Sequence, residues 1–165
     1  MNAPPPVHVR VVRQFSASPE RVFDAWLEPQ WIGRWMFGPG VRDEEVLRLS
    51  NDARVGGTFS FLVRRQAGEI DHVGTYLAID RPRRLVFTWA IEKETAELSR
   101  VTVDIVPRGT GCELTLTHEM DPKWAEYAGR TEAGWTTMLG ALERALGAPG
   151  ETTSSAASSA LRPRQ

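Results

Sequence analysis

The sequence predicts an α+β fold in which a curved antiparallel sheet of about seven strands wraps around one long C-terminal helix, with two short helices after the first strand. Short segments of alternating apolar and polar residues fill most of the chain, as in strands with one buried face. The turns between these segments are too short for parallel crossovers. Over residues 122–146, large apolar residues recur at spacings typical of an amphipathic helix. We expect the sheet to pack against this helix and to leave a space between them.

The first part of the chain supplies one strand and two short helices. Apolar residues alternate over residues 7–15, which predicts the first strand. Ser18 and Pro19 form a typical helix start, because a serine side chain caps free N–H groups and proline fits the first helical position. Pro29 interrupts this helix and begins a second one, since proline cannot continue the hydrogen-bond pattern of a helix interior.

The remaining strands follow one another closely, separated by turns rich in glycine and proline. We expect them near residues 41–50, 58–65, 72–79, 84–91, 100–106 and 112–120. Asp121 and Pro122 then open the last helix. A break near Gly129 is consistent with the low helix propensity of glycine.

The length of 165 residues suits one domain. We predict a flexible leader at residues 1–6, a single domain at 7–146 and a disordered tail at 147–165. The leader contains three prolines, and the tail is a run of alanine, serine and threonine with too few large apolar side chains to form a core.

Composition excludes several classes of function. A formal net charge of -1 gives no long-range attraction to nucleic acid. The single cysteine, Cys112, cannot form an internal disulfide, and we expect neither a metal site nor a cofactor. The N-terminus lacks the pattern of a signal peptide, and no apolar stretch is long enough to span a membrane. These features predict a soluble cytoplasmic protein.

Several short motifs occur in an order found in a known family. They are Arg13-Gln14-Phe15-Ser16-Ala17, Glu20, Val22-Phe23, Trp26, Pro29 and Trp35; Gly56-Gly57-Thr58-Phe59; Gly74-Thr75-Tyr76; Pro82-Arg83-Arg84-Leu85-Val86-Phe87-Thr88-Trp89; and Gly134-Trp135 with Met138-Leu139 and Leu142. Over about residues 7–146 the chain resembles the activator-of-heat-shock-protein-90-ATPase-like family, of the C-terminal-domain type.

The resemblance implies a helix-grip fold, shared with START-like lipid-transfer domains and polyketide cyclases, and an apolar cavity between the sheet and the last helix. It brings no fixed catalytic residues, and we assign none. The full-length activators also carry a separate N-terminal chaperone-stimulating domain, to which none of the quoted residues corresponds. The family name is therefore not evidence of this protein's activity.

The expected pocket is lined by large residues that face inward from the sheet and the last helix. The candidate lining residues are Phe59, Phe61, Tyr76, Trp89, Leu116, His118, Trp135, Met138 and Leu139. His118 shares its face with apolar neighbours, so it either orients a ligand or is a core histidine with satisfied hydrogen bonds. Arg13 also faces inward, and a structural salt bridge is its expected role. His72 is expected at a solvated hairpin end rather than in a metal site with Asp71.

These observations support three hypotheses. The first is a module that binds a small, largely apolar ligand, held by burial of apolar surface and oriented by His118, Tyr76 or Arg13. The second is a protein-interaction module whose partner is a chaperone or a second copy of the chain. The third is a cyclase or hydrolase in which His118 acts as an acid or base. The third needs a second titratable group near His118, and the sequence shows no obvious one.

Overall fold

The computed structural model describes residues 5–92 and 99–147, and over these ranges it has the expected α+β helix-grip architecture. The elements in chain order are β1 (Val7–Phe15), α1 (Pro19–Asp24), α2 (Pro29–Trp35), β2 (Glu45–Asn51), β3 (Thr58–Arg65), β4 (Gly68–Asp80), β5 (Arg84–Ile91), β6 (Ser99–Arg108), β7 (Gly111–Met120), a 3-10 helix (Pro122–Tyr127) and α3 (Ala128–Leu146). The start of the predicted leader and the predicted tail beyond Gly147 lie outside the described residues.

One antiparallel sheet contains all seven of these strands, in the order β1-β7-β6-β5-β4-β3-β2. Strands β2 to β7 form a meander, and β1 closes the far edge by pairing with β7. The register shifts between Val46 and Arg48 and again between Tyr76 and Ala78. Such irregularities bend a sheet and increase its twist, which helps this one to curve around α3.

Helix α3 packs its apolar stripe into the concave face of the sheet. Trp135, Leu139, Leu142 and Leu146 are buried on this stripe. A fully buried side chain of this size contributes about 1.5–3 kcal/mol. At the edge of the interface, the Arg13 Nε donates a hydrogen bond to the Glu143 carboxylate over 2.8 Å, as expected for a structural salt bridge.

The two short helices begin as their sequences predict. The Ser18 hydroxyl accepts the N–H of Arg21, and Pro19 and Pro29 occupy first-turn positions. The indole of Trp35 then donates to the Ala25 carbonyl over 2.9 Å, which ties the second helix to the end of the first.

The strand expected from about residue 41 begins only at Glu45, because the preceding residue anchors a loop. The Glu44 carboxylate is buried and accepts the Gly38 N–H over 2.8 Å, Arg42 over 2.9 Å and Arg65 over 2.7 Å. Burial by itself would raise the pKa of Glu44, but the Gly38 N–H and the two guanidinium groups together lower it. These contacts bend the chain away from the sheet before β2.

The last helical segment is divided close to the position where the sequence predicts a break. A 3-10 turn comes first and α3 starts at Ala128, one residue before the break expected near Gly129. The Asp121 carboxylate caps the 3-10 turn by accepting the Lys123 N–H over 3.0 Å. Within the described ranges, no helix combines the length and apolarity needed to cross a membrane.

Candidate functional site

A cleft of about 230 Å³ opens at one end of the sheet, where the end of β5, the start of β6 and the end of β7 meet the 3-10 helix. We call it the end cleft. Its lining residues are Trp89, Ala90, Ile91, Ser99, His118, Met120, Trp124, Tyr127 and Thr131. Most of this wall is apolar or aromatic, and none of these side chains is a carboxylate, lysine or arginine.

Strand pairing and the 3-10 turn position the cleft walls. Trp89 on β5 is paired with Ser99 on β6, and His118 on β7 is paired with Val101 one strand away. The opposite wall comes from Trp124 and Tyr127, whose ring centroids are 5.5 Å apart. Their spacing of three residues places both rings on the same side of the 3-10 turn.

His118 takes part in a chain of hydrogen bonds. The direction of each bond follows from the one group in this chain that can only donate. The Trp135 indole N–H can only donate, so its 3.0 Å contact makes the His118 Nδ1 an acceptor. In the neutral ring the proton is then on Nε2, which donates to the Ser99 hydroxyl over 2.7 Å. Ser99 donates in turn to the Trp89 carbonyl over 2.8 Å. The chain thus links α3 to three strands.

This chain of hydrogen bonds keeps the His118 imidazole neutral. The side chain is only 4% exposed, and burial lowers its pKa from 6.5 to about 4. Protonation would also place a second N–H against the Trp135 indole N–H. Both ring nitrogens therefore have partners, as in the core-histidine alternative, although the ring also lines the end cleft.

A second space lies inside the fold, between α1, α2 and strands β3 to β5. This inner void measures only about 10 Å³ and is lined by Trp26, Met36, Phe59, Phe61, Tyr76, Phe87 and Trp89. Aromatic rings fill the rest of this region, with centroids 4.7 Å apart for Phe59 and Phe61 and 6.1 Å apart for Trp26 and Phe87. The interior between sheet and helices is therefore almost fully packed.

One polar atom in this region lacks a partner. Trp26 is buried, and its Nε1 is the one buried side-chain nitrogen or oxygen in the described part of the chain that makes no hydrogen bond. An unsatisfied buried donor typically costs about 1–3 kcal/mol. The nearby Tyr76 hydroxyl is satisfied, since it donates to Asn51 over 2.6 Å, and burial raises the pKa of Tyr76.

The candidate pocket residues divide into three groups in the structure. Trp89 and His118 line the end cleft, while Phe59, Phe61 and Tyr76 line the inner void together with Trp89. The others pack in or against the core: Leu116, Trp135, Leu139 and the partly buried Met138. Trp89 is the member common to both spaces.

Sequence reasoning did not include the residues that form most of the end cleft. Met120 shares the strand face of His118, and Trp124 and Tyr127 belong to the apolar set before α3. Those patterns could have identified them. The Ser99 hydroxyl carried no such signal, because its role depends on pairing with Trp89 across two strands.

The expectation that His72 lies at a solvated hairpin end is wrong. Its side chain is only 7% exposed, and its Nδ1 donates to the Phe61 carbonyl over 3.1 Å. Strand β4 begins at Gly68, so the turn is four residues away, and the Phe37 ring covers His72 at a centroid distance of 4.7 Å. Burial lowers the pKa of His72 to about 4.

The acid beside His72 points elsewhere. Asp71 accepts hydrogen bonds from Ser60 over 2.7 Å and Arg48 over 3.1 Å on the other face of the sheet. Among the residues that the structure describes, no three His, Cys, Asp or Glu side chains are grouped closely enough to hold a metal ion.

The curved sheet, the packed helix and the cleft at one end define a helix-grip domain. A family model described as "Activator of Hsp90 ATPase homolog 1-like protein" matches residues 16–147, and the chain belongs to this family. No curated protein matches the chain significantly in sequence.

Solved structures share this fold. The Mll3558 protein from Rhizobium loti is 28% identical, with a TM-score of 0.66 over 84% of this chain and 96% of that one. PFC0360w, an HSP90 activator from Plasmodium falciparum, is 24% identical, with a TM-score of 0.65 over 84% and 95%. An AHSA1-like protein from Aeromonas hydrophila is 21% identical, with a TM-score of 0.67 over 84% and 90%. The last two comparisons, below 25% identity, support the fold alone.

Proposed function

We propose that this protein binds a small, uncharged and largely apolar ligand in the end cleft. The observation that carries the proposal is the cleft itself, with about 230 Å³ of space beside the rings of Trp89, Trp124 and Tyr127. For comparison, an engineered apolar cavity of about 150 Å³ binds benzene. A ligand with a single ring or two fused rings therefore suits this site.

The wall chemistry supports an uncharged ligand. Burial of apolar surface supplies about 25 cal/mol per Å². A charged group would lose its hydration without gaining an opposite charge, since none of the described side chains that line the end cleft is ionic. The polar edge is formed by Ser99 and His118, which the hydrogen-bond chain holds in place. Tyr76 and Arg13 do not line the end cleft, so the polar groups of the cleft itself are the candidates for orienting a ligand. The described ones are Ser99, His118, Tyr127 and Thr131.

Ligand-induced stabilisation tests this proposal. Naphthalene at one hundred times its dissociation constant should stabilise the folded protein by about 2.7 kcal/mol. For a chain of this length, that is a rise in melting temperature of about 5–10 °C. Native mass spectrometry of freshly purified protein would reveal a natural ligand by its added mass.

A pair of tryptophan variants locates the binding. Met120→Trp should fill the end cleft and abolish the shift caused by naphthalene, because Met120 lines the cleft at the end of β7. Leu77→Trp is the control, since Leu77 is 46% exposed and lies away from the cleft. Loss of binding in both variants, or in neither, would contradict the proposal.

Chaperone interaction is a second candidate, and its support is the description of the family to which the chain belongs. The test is the ATPase rate of purified Hsp90 with and without this protein. Stimulation that survives Met120→Trp would place the interaction outside the end cleft. Size-exclusion chromatography would test the homodimer alternative.

The enzyme hypothesis has less geometric support. Both ring nitrogens of His118 are already hydrogen-bonded, and burial keeps the ring neutral by lowering its pKa to about 4. Among the described residues that line the end cleft, the only other titratable side chain is Tyr127. An acid–base mechanism would first have to break the contact with Trp135 or Ser99.

A further inference from the structure

We propose that the ligand site continues inward past Trp89, and that the Trp26 indole N–H binds an uncharged acceptor oxygen at the inner end of the ligand. This inference rests on the proposed function of the end cleft and specifies the ligand further: an aromatic body with a ketone, ester or ether oxygen.

The first observation is the unpartnered donor on Trp26. Trp26 is 2% exposed, and its Nε1 makes no hydrogen bond to any residue that the structure describes. The other two fully buried indoles behave differently: Trp35 donates to the Ala25 carbonyl, and Trp135 donates to His118. The fold therefore satisfies buried indoles elsewhere and leaves one donor available at this position.

The second observation is that Trp26 lines the inner void. At about 10 Å³ the void is at the lower limit for one water molecule, which also needs two to four polar partners. Its other lining side chains are apolar except for Tyr76, whose proton is already donated to Asn51. A water molecule would have too few polar partners there. A ligand oxygen would take the place of the water, while the apolar body of the ligand contacts the aromatic rings that line the void.

Trp89 connects this donor to the end cleft. Its ring lines both spaces, and its side chain is only partly buried. The Trp89 indole N–H makes no hydrogen bond within the described part of the chain, so its ring is held by packing against five aromatic rings, of which His72 at 5.4 Å and Trp135 at 5.6 Å have the nearest centroids. Displacement of this ring would join the end cleft and the inner void into one site that ends at Trp26.

The lining of the joined site defines its ligand chemistry. Among the residues that the structure describes, no charged side chain lines either space, so a carboxylate or an ammonium group would be buried there without a counter-charge. A neutral oxygen needs only the one N–H that Trp26 offers. The site should therefore prefer an aromatic ketone over the hydrocarbon of the same shape.

Two probes of nearly equal shape test the inference. 2-Acetylnaphthalene has the acceptor oxygen, and 2-isopropenylnaphthalene replaces that oxygen with a CH₂ group. The wild-type protein should bind the ketone about tenfold more tightly, as one hydrogen bond to a buried donor predicts. In Trp26→Phe this preference should be lost or reversed, because the ketone oxygen would then lose its hydration without gaining a donor. Trp124→Phe is the matched control, because Trp124 lines only the end cleft and its loss should weaken both probes alike.

An NMR measurement on the wild-type protein avoids dependence on the folding of Trp26→Phe. The ¹⁵N–¹H resonance of the Trp26 side chain should move downfield with the ketone and stay in place with the hydrocarbon. If both probes bind equally and this resonance does not move, the ligand stays in the end cleft; the inference is then overturned and the proposed function stands. A Trp26 contact with a bound water that persists in the ketone complex also overturns it. If neither probe binds, both proposals fail.

Discussion

At the residue scale, two neutral buried histidines link stability to pH. Burial lowers the pKa values of His72 and His118 from 6.5 to about 4. The unfolded chain therefore binds protons more readily than the folded protein does between these values. The contribution of these neutral histidines to the free energy of unfolding is fully present above pH 6.5 and is lost as the pH falls toward 4.

The first prediction follows from this linkage. Between pH 7 and pH 5, the free energy of unfolding should fall by on the order of 2 kcal/mol for each buried histidine. Urea denaturation at both pH values measures the loss. His118→Gln and His72→Gln should each remove one share of the pH dependence. A pH dependence that is the same in the wild type and in both variants would contradict the assignment.

A second residue-scale prediction concerns Glu44. Glu44→Gln removes the buried charge that Arg42 and Arg65 bind, and it should lower the free energy of unfolding by about 1–3 kcal/mol. The adjacent Glu45→Gln is the control, because it breaks only an exposed pair with Arg64 and should change stability by less than about 0.5 kcal/mol. Equal effects in chemical denaturation would show that the loop before β2 does not depend on the buried carboxylate.

At the element scale, α3 and the 3-10 turn have separate roles. The helix closes the concave face of the sheet with its apolar stripe, and the turn before it supplies the outer wall of the end cleft. Thr131 at the start of α3 also lines the cleft, so α3 can be stabilised without altering the cleft at positions away from Thr131 where an added side chain meets no other atom.

Gly134 offers such a change. A Cβ built on Gly134 meets no other atom within 4 Å, so Gly134→Ala should stabilise the helix by up to about 1 kcal/mol. The melting temperature should rise by about 2–4 °C in differential scanning calorimetry. Gly74→Ala is the opposite case, because its Cβ would collide with the Thr88 carbonyl and the Phe59 ring, and it should destabilise the protein. A lower melting temperature for Gly134→Ala would contradict this account of α3.

At the scale of the whole molecule, the fold is packed at its centre and open at one end. Rings from Trp26, Phe59, Phe61 and Phe87 occupy the region behind Trp89 and reduce the inner void to about 10 Å³. The end cleft lies where the ends of β5 and β7 meet the 3-10 turn and the start of α3. Among the described residues, the interior is therefore nearly filled, whereas the end cleft is open without any rearrangement.

A truncation tests whether the domain is stable on its own. Residues 148–165 contain one large apolar side chain, Leu161. Deletion after Gly147 should therefore change the melting temperature by no more than about two degrees. A loss of about ten degrees would show that this segment stabilises the domain or an assembly of domains.

The sequence alone determined the order and type of the elements. Strand alternation and the spacing of apolar residues are local properties, so they predicted β3 and β5 to the residue and placed Arg13 and His118 on inward faces. It did not predict that Glu44 and His72 are buried. Their burial depends on a loop that carries Phe37 over β4, and such a contact between distant segments has no local pattern.

The tertiary structure alone decided where the open space lies. The predicted pocket residues are inward-facing, but whether inward-facing rings leave a cavity depends on how their volumes interdigitate between segments far apart in the chain. In this protein Phe59, Phe61 and Tyr76 pack closely with their neighbours, while Met120, Trp124 and Tyr127 surround the end cleft. Packing between elements, which no single segment encodes, therefore separates the filled interior from the site at its end.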